Sequence, residues 1–109
     1  MRYVRLRRLL VEILDAHPGA IVGYEEVRRH MGVDAAHVYG GIVAVIASEC
    51  EAREVPYQGL PVSTVKRAAT GKGNADKSAM RAAAEARFGP VESDDEADAL
   101  WIAFCAGGV

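Results

Sequence analysis

Between two long stretches of helical periodicity lies Ala20-Ile21-Val22-Gly23-Tyr24, a nearly continuous apolar run of the kind expected for a strand buried on both faces. Such a strand needs helices to cover it, and the flanking segments supply them. Residues 2–16 place Leu6, Leu9, Leu10, Ile13 and Leu14 on one helical face and Arg2, Arg5, Arg8 and Glu12 mostly on the other, before His17-Pro18-Gly19 stops the pattern. Asp34 reads as the N-cap of a second helix, Ala35 to about Arg53, whose turns are marked by Val38, Ile42, Val45, Ile46 and Glu49. Gly40-Gly41 in its middle costs about 1–2 kcal/mol of helix propensity relative to two alanines, which implies a close approach there. Glu54-Val55-Pro56-Tyr57 reads as a short second strand, confined to an edge by Pro56. Asn74 caps a third helix, Ala75 to Arg87, ended by Gly89-Pro90. This order of elements predicts an α/β fold with parallel strands flanked by helices. A sheet of two short strands is thin, because both of its edges stay open.

The end of the chain carries the chemistry. Ser93 and Glu96 have capping-box spacing, so a last helix should start at about Asp94. Asp95 and Asp98 then stand three apart, with side chains about 5–6 Å from each other. Ala97, Leu100, Trp101 and Phe104 form an apolar stripe that docks this helix, which makes Trp101 and Phe104 core residues. Two carboxylates side by side repel and lose hydration, and a divalent ion such as Mg²⁺ relieves both effects. The alternative is an acidic first turn that favours the helix dipole and is simply solvated.

A chain of 109 residues makes one domain. Its net charge of −2 conceals an uneven layout: Lys66, Arg67, Lys72, Lys77, Arg81 and Arg87 fall close together, and an acidic run follows between Glu92 and Asp98. A basic patch beside an acidic one suits a metal-dependent enzyme acting on a phosphate backbone. Gly71-Lys72-Gly73-Asn74-Ala75-Asp76-Lys77 offers backbone N–H groups and two ammonium groups at a helix start, where a phosphate or merely solvated lysines would fit, although its glycine spacing is not that of a Walker loop. Cys50 and Cys105 read as small core residues of a reducing, cytoplasmic protein. The longest unbroken apolar run, Gly40 to Ala47, is too short to span a bilayer, and Met1-Arg2 leads straight into an amphipathic pattern rather than a signal peptide. His30 and His37 lack metal-ligand spacing and read as polar surface groups, while Tyr39 suits either base stacking or packing above Gly40.

Glu25 follows the first apolar run, at the end of a strand where open α/β sheets place their ligand groups. With Asp95 and Asp98 it gives three acids able to converge on one or two metal ions.

Tyr24-Glu25-Glu26-Val27-Arg28-Arg29-His30, Asp34-Ala35-Ala36-His37-Val38-Tyr39-Gly40-Gly41, Pro61-Val62 with Val65-Lys66, Thr70 through Lys77, and Asp95-Glu96-Ala97-Asp98-Ala99-Leu100 occur in that order. Together they closely resemble the RuvC-like Holliday junction resolvases, particularly the shorter phage and prophage branch, over about residues 1–105. The resemblance implies a ribonuclease H-like fold, dependence on Mg²⁺ or Mn²⁺, a homodimer, and endonucleolytic cutting of four-way junctions in DNA recombination and repair. It also implies that Glu25, Asp95 and Asp98 are the catalytic, metal-holding acids and that Lys66, Lys72 and Lys77 contact DNA. Asp94 could exchange roles with Asp95. The family opens with a strand hairpin carrying an Asp-x-Gly acid that has no counterpart here. The expectation is therefore a domain over residues 1–109 that is amino-terminally truncated and inactive alone, or else a non-catalytic DNA-binding remnant of the fold. A nuclease of the same fold acting on RNA is a third possibility.

Overall fold

A computed structural model describes residues 2–30 and 32–107. The elements run α1 (Arg2–Ala16), β1 (Val22–Glu26), α2 (Val33–Ala52), β2 (Tyr57–Pro61), α3 (Val62–Thr70), α4 (Lys77–Phe88) and α5 (Asp94–Cys105). The α/β fold is as expected: β1 and β2 pair as a two-stranded parallel sheet, joined through α2 as parallel strands require. The chain divides into two compact units, one comprising residues 1–22 and 27–57, the other residues 23–26 and 58–109.

In the first unit α1 packs on α2 around Leu14, Val45, Ile46 and Cys50. The close approach expected at the paired glycines occurs at one of them. A side chain at Gly41 would collide with the Tyr3 ring, whereas nothing lies near Gly40. Arg7 bridges α1 to Glu49 of α2 at 3.1 Å, and Arg53 at the end of α2 pairs with Asp15 and Glu49. Burial, and then the charge of Glu49, push the Cys50 thiol pKa up, consistent with an inert packing residue. Tyr39 turns inward: its hydroxyl accepts a hydrogen bond from the Val27 N–H at 3.1 Å, and its ring lies 5.1 Å from that of His30.

Three sequence expectations change here. The N-cap of α2 is Gly32 rather than Asp34; Asp34 lies inside the first turn, where its charge favours the helix dipole. The apolar face of α1 is only partly covered, with Leu9 at 55% and Ile13 at 45% exposure. Over its 20 residues α2 is long and apolar enough to cross a bilayer, although its longest unbroken apolar run is not.

The second unit is built around Leu60, Val65, Ala75, Met80, Ala84, Val91, Ala97 and Trp101. The predicted stripe of α5 faces this core: Trp101 meets Phe88 edge-on at 5.0 Å and Phe104 at 5.2 Å, and the Arg87 guanidinium covers the Phe104 ring. The α5 start has the expected Ser93 cap, with the returning Glu96 bond made one residue before the cap instead of at it. The Ser93 hydroxyl accepts from the Glu96 N–H, while the Glu96 carboxylate reaches back to the Glu92 N–H.

The strands are displaced from their sequence positions. β1 begins at Val22 rather than Ala20, so Glu25 lies within the strand and not beyond its end, and no residue of β1 is fully buried. β2 begins at Tyr57, where the Glu54–Tyr57 reading had it ending. Glu54 takes φ 56°, a left-handed turn that ends the α2 segment and leaves pairing to start later. The Pro56 carbonyl nevertheless accepts from the Val22 N–H at 3.0 Å.

Helix α3 has no counterpart in the sequence reading. Pro61 precedes it in extended conformation, Val65 anchors it in the core, and Gly71 closes it at φ 83°, a left-handed cap that glycine adopts without strain. The N-cap of α4 is Asp76 and not Asn74, because the Asp76 carboxylate takes the Ala79 N–H at 2.8 Å.

Candidate functional site

The site lies in the second unit, where α5 runs against β1. Gly23 makes the close approach possible: a side chain there would come within 3.0 Å of Ala106 Cβ and 3.1 Å of Ile102 Cγ2. One level along, the same geometry brings two acids to one place. Glu25 is two residues beyond Gly23 on β1, on the same strand face and about 6.6 Å further on. Asp98 is four residues before Ile102 on α5, on the same helix face and about 6 Å away in rise. Both acids therefore reach a cavity of about 180 Å³, which is also lined by Ile102, Val62, Val65, Met80, Lys66 and Lys77. Gly23 is the functional position that the sequence reading missed; its only signal was a glycine inside an apolar strand run.

Of the residues singled out from sequence, Glu25, Asp98, Lys66 and Lys77 meet in this cavity. Lys66 comes from α3 and Lys77 opens α4, so three helices and one strand contribute. Asp95 and Lys72 do not line it. Asp95 acts on Asp98 through its charge. Lys72 lies exposed in the α3–α4 connection, where its N–H donates to Thr70 Oγ1 at 3.1 Å. The expected anion site at the start of α4 is already filled by the Asp76 carboxylate, which places a negative charge where a phosphate was expected.

Asp98 is the electrostatic focus. It is exposed overall, yet partial burial raises its carboxyl pKa, and the charges of Asp95 and then Asp94 raise it further. Lys66 and Lys77 oppose that rise. Among the described residues no three His, Cys, Asp or Glu side chains approach closely enough to form a metal cluster. What the cavity presents is two carboxylates and two ammonium groups on an apolar floor, a set able to hold a hydrated cation and an anionic oxygen side by side.

No family model matches the chain. It is 36% identical over 101 residues to the crossover junction endodeoxyribonuclease RuvC of Nocardia farcinica, an alignment covering 84% of this chain and 50% of that protein. The fold superimposes on Thermus thermophilus RuvC in complex with a Holliday junction substrate at a TM-score of 0.81 and 24% identity, over 94% of this chain and 64% of the other. A second Thermus thermophilus RuvC structure gives a TM-score of 0.72 at 25% identity, with 94% and 63% covered.

The chain is similar to RuvC in sequence and in fold. Its fold is ribonuclease H-like, as the motif order implied. The RuvC-like chain spans half the length of the Nocardia farcinica relative.

Proposed function

We propose that this chain takes part in cutting branched DNA at four-way junctions, as a metal-dependent endonuclease of the RuvC type. The observation that carries this reading is the convergence of Glu25 and Asp98 with Lys66 and Lys77 on one cavity. The relatives' names support the choice of substrate, since one is a crossover junction endodeoxyribonuclease and another was solved on a Holliday junction.

The donor set fits a divalent cation. Burial and the neighbouring acids Asp95 and Asp94 already disfavour the charged form of Asp98, a strain that a bound cation relieves. Glu25 and Asp98 would hold Mg²⁺ or Mn²⁺, with Asp95 adding negative charge from the same helix. At that position a bound ion would supply Lewis-acid chemistry suited to phosphodiester hydrolysis. Lys66 and Lys77 pair with the phosphate oxygens, and Lys72 contacts the backbone outside the cavity. Val62, Val65, Met80 and Ile102 form an apolar floor beneath these charged groups. Symmetric cutting of a four-way junction further requires a second copy of the chain, and we include a homodimer in the proposal.

The test is binding and cleavage of a labelled four-way junction against linear duplex of the same sequence, with Mg²⁺ or Mn²⁺. Preferential, metal-stimulated action on the junction that is lost in Asp98→Asn supports the proposal. Equal affinity for duplex and junction, with no response to metal or to Asp98→Asn, would leave a general DNA-binding module instead.

A further inference from the structure

Helix α1 carries its charges against its own dipole. Arg2, Arg5, Arg7 and Arg8 fill its first two turns, the first turn holds no acid, and the first acid along it is Glu12. The start of a helix is the positive end of the backbone dipole, where cations are disfavoured. Arg2 with Arg5, and Arg5 with Arg8, are also like charges three apart, which repel. A helix that breaks both rules at once marks a functional surface when nothing inside the fold offsets the cost.

Here the fold offsets the charge of one arginine in four. Arg7 bridges to Glu49 at 3.1 Å. Asp15, further along α1, is taken by Arg53 of α2. Arg2, Arg5 and Arg8 are exposed, and among the described residues none of them is paired. Each step of three residues turns by about 60° and rises by about 4.5 Å, so the three guanidiniums fan over about 120° of the outer surface and about 9 Å of helix length. Such an array matches a partner whose negative charges are serial and closely spaced, as the phosphates of a nucleic acid are. A lipid surface fits less well, because the stripe that would enter it, Leu6, Leu10 and Leu14, is turned toward α2.

We propose that Arg2, Arg5 and Arg8 form a phosphate-contacting surface on α1, additional to Lys66, Lys72 and Lys77, that binds the backbone of branched DNA. This surface extends the proposed junction binding and depends on it. Arg7 is excluded, because its guanidinium is committed to Glu49.

The experiment follows binding of the full chain to a labelled four-way junction by fluorescence anisotropy over a range of NaCl concentrations, with thermal melts of every variant. Combined Arg2→Gln, Arg5→Gln and Arg8→Gln should lower the slope of log K against log salt by about 2–3 and weaken binding about tenfold or more at physiological salt. The same variant should melt at or above the wild-type Tm, since repulsion at the helix start is relieved; damage to the fold would lower it. Arg7→Gln should do the reverse, with a slightly lower Tm and an unchanged slope. Combined Arg2→Lys, Arg5→Lys and Arg8→Lys should restore the slope, because lysine binds phosphate as a point charge. Should the combined glutamine variant fold poorly, each single substitution should still lower the slope by about one. An unchanged slope in the combined variant, with Lys66→Ala and Lys77→Ala still lowering theirs, would overturn the α1 surface and leave the proposed function standing. A slope unmoved by any of these substitutions would overturn both. Binding to phosphatidylserine vesicles that the combined variant loses, with junction binding unaffected, would overturn the nucleic acid in favour of a lipid headgroup.

Discussion

Lys66 stands across the cavity from Asp98 and pulls its carboxyl pKa down, against the upward push of burial, Asp95 and Asp94. The upward push wins. A carboxyl whose folded pKa exceeds its unfolded value, near 3.9, stabilises the fold below that value and loses this contribution as pH rises through the folded pKa. At neutral pH, ionised Asp98 is therefore a burden on the metal-free fold. Asp98→Asn should melt slightly higher than wild type at pH 7 in chelator, with the difference shrinking toward pH 3. The gain should stay below about 1 kcal/mol, because the site is open to solvent screening. Thermal melts across pH 3–8 measure it.

Metal should reverse that ranking. Mg²⁺ or Mn²⁺ at tenfold over its dissociation constant should stabilise the wild type by about 1.4 kcal/mol, seen as a higher Tm. Asp98→Asn should lose the response. A variant that still gains as much as wild type would place the ion elsewhere.

The lysines should separate by position. Lys66→Ala and Lys77→Ala should each weaken junction binding and lower the slope of log K against log salt by about one unit, the effect of one fewer neutralised phosphate. Lys72→Ala, outside the cavity, should lower the slope similarly but leave the metal-induced rise in Tm intact. Unchanged salt slopes would make these lysines solvated surface groups.

Gly23→Ala should push α5 away from β1, since the added methyl meets Ala106 and Ile102 at 3.0 and 3.1 Å. The expected cost is about 1–3 kcal/mol of overpacking. Because the same displacement separates Asp98 from Glu25, the metal response should fall as well, although neither acid is altered. Full metal response at reduced stability would show that the spacing tolerates the shift.

The proposed homodimer is checked by light scattering on the purified chain across a dilution series. Open sheet edges and exposed Leu9 and Ile13 favour self-association, so a dimer is expected at micromolar concentration. A monomer throughout would remove the second copy from the proposal.

What the sequence made legible was largely local. The Ser93–Glu96 box and the stripe through Trp101 place α5 because cap and periodicity lie within one helix. Asn74 was read as the cap of the third helix, and only the completed helix start shows that Asp76, two residues on, has the Ala79 N–H in reach. The strands slipped because an apolar run limits a strand without ending it; pairing and the packing of Gly23 on α5 place β1, and both involve distant residues. Helix α3 stayed hidden because Val62, Thr64 and Val65 are β-branched and weaken the helical signal of a short segment. Pro61 before it and Gly71 after it were the available signal. Glu25, Asp98, Lys66 and Lys77 were each named from sequence, but their meeting depends on a glycine whose value is purely steric.

Trp101 is the chain's single tryptophan, and it sits three residues after Asp98 with its ring against Phe88 and Phe104. The helix that carries two of the three proposed acids thus contains its own optical probe. Its emission originates in an aromatic pocket and should shift when ion or DNA draws on the outer face of α5. Occupancy of the site can then be followed in unlabelled protein, in real time, with no need for a reaction to occur.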